Sequence, residues 1–302
     1  MNITTRTPDN NKIKLGAGDG FLLAASCAWG INFPIAKSVL LYMDPMVFSA
    51  TRYLVAASFL FVLLIFQRER LAITAKEFFE LAIIGFLGIT LFQGGWAYGL
   101  NLTSASKASI LVATAPVFGA LIGSFRGERT SLVGWGGIFL SMMGVVILIN
   151  NSLTEITIDA GSMVGDLLII GAAAIWSIYT LISGPMVIRR GPIFVTAYGM
   201  AFGALFLTAI SVEPLIEQDW SAIPAIGWVA WASTAFLGAA LAFVWYCAGI
   251  SRLGMAKGMS YSFFIPAVAI ATSLLFFGEH MSLVQLFGAV IILLGVKFTR
   301  TG

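Results

Sequence analysis

Charge is scarce in this chain: Asp, Glu, Lys and Arg make up 10% of its 302 residues, against about 25% in a soluble domain. Histidine is scarcer still. His280 stands alone, which excludes a histidine-clustered metal centre. The two cysteines, Cys27 and Cys247, lie in apolar runs and make neither a disulfide framework nor a CxxC site. No Walker A sequence is present, so the chain has no ATPase engine of its own. With no nucleophile–base or metal constellation in the pattern, it reads as a non-enzyme that needs no cofactor and no metal. So little charge also excludes disorder, an ordinary soluble enzyme and a nucleic-acid partner.

What the chain has is apolar bulk. The AVILMFWYC set reaches 59% and the mean hydropathy is +0.95. A helix that crosses a bilayer core needs about 20 mostly apolar residues. Ten such runs follow one another, at 18–38, 45–66, 77–98, 103–125, 131–150, 163–184, 192–212, 223–250, 255–277 and 282–299. Short connections separate them and carry the breakers Asp44-Pro45, Gly127-Glu128, Gly184-Pro185, Gly191-Pro192, Glu213-Pro214 and Gly278-Glu279. The expected fold is an all-α integral membrane protein of ten transmembrane helices. Residues 1–17 read as a polar cytoplasmic tail, not a signal peptide, because the apolar run behind them is too long.

Orientation follows from where Lys and Arg fall. On one side lie Arg6, Lys12, Lys14, Arg68, Arg70, Lys76, Arg126, Arg129, Arg189, Arg190, Arg252, Lys257, Lys297 and Arg300, which is 14 of the 17 basic residues. The opposite loops hold Asp44, Glu155, Asp159, Glu213, Glu217, Asp219 and Glu279. Both termini are therefore expected in the cytoplasm, in a multi-pass protein of the inner or plasma membrane. The net charge of +3 is the residue of this asymmetry, not a binding signature.

The two halves of the chain repeat each other. Gly18-Asp19 and Trp29 return as Gly165-Asp166 and Trp176. Lys107 and Pro116 return as Lys257 and Pro266, and Gly127-Glu128 with Ser131-Leu132-Val133 returns as Gly278-Glu279 with Ser282-Leu283-Val284. Gly137 and Gly144 match Gly288 and Gly295. The repeats span 18–150 and 163–299, five runs each. Five is odd, so the second copy enters the membrane from the opposite face. Inverted repeats are the architecture of alternating-access carriers, with the site near the midplane.

These residues carry a family resemblance. Trp29-Gly30-Ile31-Asn32-Phe33 with Lys37, Arg52-Tyr53, Ala115-Pro116-Val117, Gly127-Glu128-Arg129 and Phe264-Ile265-Pro266-Ala267-Val268 together resemble the EamA family of the drug/metabolite transporter superfamily. The resemblance covers about 18–298. It implies ten helices in two inverted five-helix repeats, and export or exchange of small metabolites, often amino acids. His280 departs from the pattern, standing where the first repeat has Arg129.

The candidate substrate-binding residues are Asn32, Lys37, Arg52, Gln93, Trp96, Trp176, Tyr179, Trp245 and Tyr261. Arg52 lies about seven residues into its span, where an ionisable group faces the protein interior or a wet cavity. It is either a counter-charge for a substrate carboxylate, or a guanidinium that ties helix-end carbonyls or snorkels outward. Lys37 shares a face of the first helix with Trp29 and Phe33, and it either binds solute or snorkels. The aromatics line a cavity for an amphipathic solute or face lipid; Trp135, Trp220 and Trp228 belong to the interfacial belt. Pro34, Pro116 and Pro266 are the candidate kink and gating residues. Gly95/Gly99, Gly119/Gly123 and Gly199/Gly203 have the spacing for close helix approach. Glu128 and Glu279 suit the starts of the helices that follow them, where Ser131 and Ser282 are candidate caps. No acid falls deep in an expected span, since Asp19 and Asp166 sit at helix starts. That favours facilitated diffusion or exchange over ion coupling.

The leading reading is a secondary transporter of small organic metabolites, amino acids and aromatic or apolar ones first. Its partners are the solute and the lipid bilayer, and the chain is a monomer or weak dimer. A drug, nucleoside or sugar-type carrier and a non-transporting receptor or scaffold stay open beside it. A channel would need a continuous polar lining, and no run has one.

Overall fold

A computed structural model describes residues 16–125, 131–151, 159–253 and 261–301. The described residues are helical and contain no strand. Successive helices are α1 (Ala17–Val39), α2 (Pro45–Phe66), α3 (Ala75–Leu102), α4 (Ala105–Phe125), α5 (Leu132–Asn150), α6 (Ala160–Arg190), α7 (Pro192–Ile210), α8 (Ala225–Leu253), α9 (Phe264–Phe276) and α10 (Leu283–Thr301). Seven of them, α2 to α8, are long and apolar enough to cross a membrane. A short helical turn, Val212–Glu217, follows α7.

Local chemistry sets the helix starts. Asp44 accepts from the amides of Met46 and Val47, with Pro45 at the first helical position of α2. Thr74 and Glu77 form a capping box on α3. Ser131 accepts from Gly134 N (3.1 Å) at α5, Asp159 from Ser162 N (2.9 Å) at α6, and Ser282 from Gln285 N (3.1 Å) at α10. In the loop before α8, the Ser221 hydroxyl and the amides of Ser221 and Ala222 hold the Asp219 carboxyl below the usual carboxylate range.

Three expectations need correction. Gly184-Pro185 does not end a helix: α6 runs through it to Arg190, and the turn falls at Gly191 with φ +83°. A proline removes one helical hydrogen bond, which a long packed helix tolerates, whereas a positive φ admits only a turn residue. Asp166, expected at a helix start, is the seventh residue of α6. It is wholly buried, and its carboxylate meets Lys107 Nζ at 2.6 Å and the Thr103 hydroxyl at 2.8 Å. Asp19, also buried, accepts from Gly16 N (2.8 Å) at the start of α1 and from the Tyr261 hydroxyl (2.5 Å). Glu279 serves another helix than its own. It accepts from Ala105 N (2.9 Å), Ser106 N (3.0 Å) and the Ser106 hydroxyl (3.0 Å) at the start of α4. The tail at 1–15, Gly127, Glu128 and Lys257 lie outside the described residues.

The helices pack in pairs: α5 on α10, α2 on α7, α3 on α6 and α1 on α8. Glycine makes the closest of these possible. A Cβ on Gly137 would lie 2.6 Å from the Gly295 carbonyl, and one on Gly99 would lie 2.8 Å from the Gly165 carbonyl. Gly119, by contrast, has nothing within 4 Å of a Cβ and makes no such contact. Gly137→Val is therefore expected to destabilise the protein by about 1–3 kcal/mol, read as a lowered thermal midpoint in detergent, while Gly119→Val leaves it unchanged.

Large apolar side chains such as Phe139, Val146, Val229 and Val290 stand exposed on the outer surface, as in a multi-pass membrane protein whose outside faces lipid. Inside, α3 and α8 each carry a π-helical stretch, Phe86–Leu91 and Thr234–Leu241. Helix α4 is interrupted at Ala113 and Thr114, and a 3-10 turn, Tyr261–Phe263, leads into α9. Three of the four irregularities contribute to the wall of the cavity described next, through Ala113, Gly238 and Ser262, and the fourth ends one residue before Phe92 on that wall.

Candidate functional site

A cavity of about 60 Å³ lies among α1, α2, α3, α4, α6, α8 and α9. Arg52 dominates its chemistry. The residue is only 1% exposed, one turn and more below the start of α2. Its guanidinium donates to Gln93 Oε1 (2.7 Å). Aromatic faces hold it from three sides, with Phe48, Tyr53 and Trp96 ring centroids 4.4, 4.8 and 5.0 Å from Cζ. Its Nε has no hydrogen-bond partner. No ion pair among the described residues includes Arg52, and no described lining residue is acidic. A buried cation that keeps free donors beside a cavity is a ready receptor for an anionic group.

The opposite wall is aromatic. Trp29 donates from Nε1 to the Gly238 carbonyl (3.0 Å) in the π stretch of α8. Its ring meets those of Trp176, Phe243 and Tyr246 at 5.7, 5.5 and 5.1 Å. Phe92 lies 4.8 Å from Trp176, and Phe33 lies 5.4 Å from Trp96. Edge-to-face contacts of this kind fix the rings in place. The arrangement offers one charged end and a broad apolar body, with Asn32, Ser109 and Ser262 as further polar edges.

The structure brings together Asn32, Arg52, Gln93, Trp96, Trp176 and Pro116 on this cavity. Tyr179 stands one ring further on, 5.0 Å from Trp176. It lines a second cavity of about 270 Å³ between α6 and α8, with Thr180, Ser183, Gly184, Tyr246, Cys247 and Ser251. The other expected site residues are elsewhere. Lys37 reaches across to α3 and donates to the carbonyls of Leu100 (2.8 Å) and Asn101 (2.7 Å). Trp245 is half-buried and lines neither cavity; its neighbour Tyr246 faces inward, and adjacent helix positions point about 100° apart. Tyr261 is committed to Asp19. Pro34 and Pro266 are buried in α1 and α9, off the cavity wall. Pro116 sits at the second position after the α4 break, where its missing N–H costs nothing.

Sequence reasoning did not count Tyr53, Phe92 or Phe243 among the site residues, and it used Trp29 in the repeat, the family motif and the α1 stripe but not as a site residue. Phe243 was within reach, three residues before Tyr246 on the same helix face. Phe92 gives no such signal.

The EamA-like transporter family matches this chain twice, over residues 16–150 and 163–301. The uncharacterized transporter YyaM of Bacillus subtilis is 28% identical over 280 residues, covering 91% of this chain and 90% of that protein. A probable terminal-alkyne amino-acid exporter of Streptantibioticus cattleyicolor is 26% identical, covering 74% of this chain and 73% of its own length. A WAT1-related chloroplastic protein of Arabidopsis thaliana is 26% identical over 89% of this chain and 66% of its own length. One crystal structure of a protein 15% identical to this chain superposes with a TM-score of 0.68, covering 93% of this chain and 95% of the other. That likeness is one of fold.

Proposed function

Because the chain belongs to the EamA-like transporter family, we propose that it is a secondary carrier that exports or exchanges small organic metabolites by alternating access. Amino acids with apolar or aromatic side chains are the first class of solute. The observation that carries this reading is Arg52, a buried guanidinium with no acidic partner among the described residues, on the wall of an aromatic cavity. The solute's carboxylate takes the free guanidinium donors, and its side chain lies among Trp29, Trp96 and Trp176. The amino-acid exporter among the relatives supports the same class.

The carrier consists of two inverted repeats, α1–α5 and α6–α10, with both termini cytoplasmic in the cell membrane. Matched geometry supports the repeat. Gly88 in α3 packs under the Tyr179 ring of α6, and Gly238 in α8 packs under Asn32 of α1. Gly99 meets the Gly165 carbonyl, as Gly249 meets that of Gly18. The buried Asp166 is neutralised by Lys107, which suits exchange or facilitated diffusion better than proton coupling.

Efflux from loaded cells tests the reading. Cells that express the chain and take up labelled phenylalanine or leucine as dipeptides are expected to lose the free amino acid faster than control cells, with or without a pH gradient. Equal rates for every apolar amino acid contradict the solute class. Efflux only against a proton gradient contradicts uncoupled transport.

A further inference from the structure

The two ends of the bundle are closed differently. Where α1 and α3 end, the Lys37 ammonium ties them together through the carbonyls of Leu100 and Asn101. Beyond the Phe33–Trp96 ring contact these helices touch little, so the lysine is their tie at this end. The matched packing above gives the place that corresponds to it at the other end. Trp29 corresponds to Trp176, so Lys37 corresponds to Gly184. Gly88 and Gly99 correspond to Gly238 and Gly249, so Leu100 and Asn101 correspond to Ile250 and Ser251.

Gly184, Ile250 and Ser251 all line the second cavity. A glycine has no side chain to cross it, and α6 and α8 stand as loosely paired as α1 and α3. The α6–α8 contact beside it is made by rings, with Tyr246 5.7 Å from Trp176, and Gly184 sends no side chain across to Ile250 or Ser251. A single aromatic layer separates this cavity from the central one: Trp176 borders the central cavity, and Tyr179 and Tyr246 lie 5.0 and 5.7 Å from its ring. The second cavity presents hydroxyls from Tyr179, Thr180, Ser183 and Ser251 and no charged side chain among its described residues. Such a lining exchanges hydrogen bonds with a passing polar group without trapping it as a charge would.

We propose that the second cavity is the solute's route to the central site from the basic-loop face, and that Lys37 is the strap that holds the opposite route shut. The proposal rests on the carrier reading above. For α1 and α3 to part, both charge-assisted bonds of the Lys37 ammonium must break. Lys37→Met keeps the length of the side chain and removes both. It therefore shifts the population toward the state open on the strap side and closed at the second cavity.

Two reporters at corresponding positions read this shift. Both are placed in a chain freed of its own thiols by Cys27→Ser and Cys247→Ser. Ser183→Cys lies on the second cavity, and Ala36→Cys is its counterpart, buried under the strap. The probe is a charged, membrane-impermeant methanethiosulfonate, added to one face of sealed vesicles at a time. With Lys37 intact, the Ser183→Cys thiol reacts from the basic-loop face and the Ala36→Cys thiol is protected. Adding Lys37→Met is expected to slow the first and speed the second, each by roughly tenfold. Rates within twofold of the parent, in protein with the parent's elution profile, overturn the strap. Reaction of the Ser183→Cys thiol from the strap face alone overturns the route. If the reporters move as expected and no solute is exchanged, the strap holds and the carrier reading fails.

Discussion

Arg52→Gln is expected to lower solute exchange at subsaturating concentration by about two orders of magnitude, with folded protein still recovered. Truncating one partner of a buried charged pair costs about 2–5 kcal/mol, and here the pair is completed only when the solute's carboxylate arrives. Among the described residues Arg52 donates to Gln93 and stacks on aromatic rings. Glutamine removes the charge but keeps a polar end near Gln93, so the fold loses far less than the bound state does. Arg52→Lys keeps the charge and loses the planar fork and its stacking on Trp96. It is expected to fall between the two, with most of the loss in KM. Concentration-dependent exchange, beside a thermal midpoint for each variant, separates the effects. A fall in the midpoint that matches the fall in flux would make Arg52 a structural tie.

The second large effect concerns stability. Asp166→Asn leaves the Lys107 ammonium buried without its carboxylate. Lys107 is itself 6% exposed and Asp166 wholly buried, so water cannot take over. Breaking a buried pair from one side costs about 3–5 kcal/mol, enough to unfold much of the protein near its working temperature. Removing both charges is a different matter. Lys107→Met with Asp166→Leu leaves no orphaned ion, and the double variant is expected to recover most of the lost stability. Thr103→Val completes the set, because its hydroxyl donates to Asp166. Thermal midpoints in detergent for the single and combined variants give the comparison. A double variant as unstable as Asp166→Asn would mean that the pair holds α4 to α6 in a way no apolar contact can replace.

Much of the helix map was legible, because hydropathy, Pro45, Pro192 and the caps at Asp44, Ser131 and Ser282 act locally. The cavity was half legible. Arg52 and Trp176 announce themselves as a charge and a tryptophan deep in apolar runs. Helical stripes alone, however, do not say which faces of different helices meet. Lys37 shows why. Its stripe with Trp29 and Phe33 is real, but the ammonium ends on carbonyls of α3, one turn beyond the Phe33–Trp96 contact and off the cavity. Its partners are backbone atoms, which leave no mark on the sequence. Glu279 was misassigned for a related reason, since the amides it caps belong to α4, far away in the chain. The π stretches of α3 and α8 were also invisible. Gly88 and Gly238 inside them were the one available sign, for each makes room for a bulky group of another helix.

Counterflow in proteoliposomes tests the central claim most directly. Vesicles holding the purified protein are preloaded with unlabelled phenylalanine and placed in a trace of the labelled amino acid, without any gradient of ions. The account predicts transient accumulation of label above equilibrium, stronger for apolar and aromatic amino acids than for lysine or glutamate, and abolished by Arg52→Gln. Label that enters no faster than into protein-free vesicles, whatever small organic solute is loaded, would contradict it.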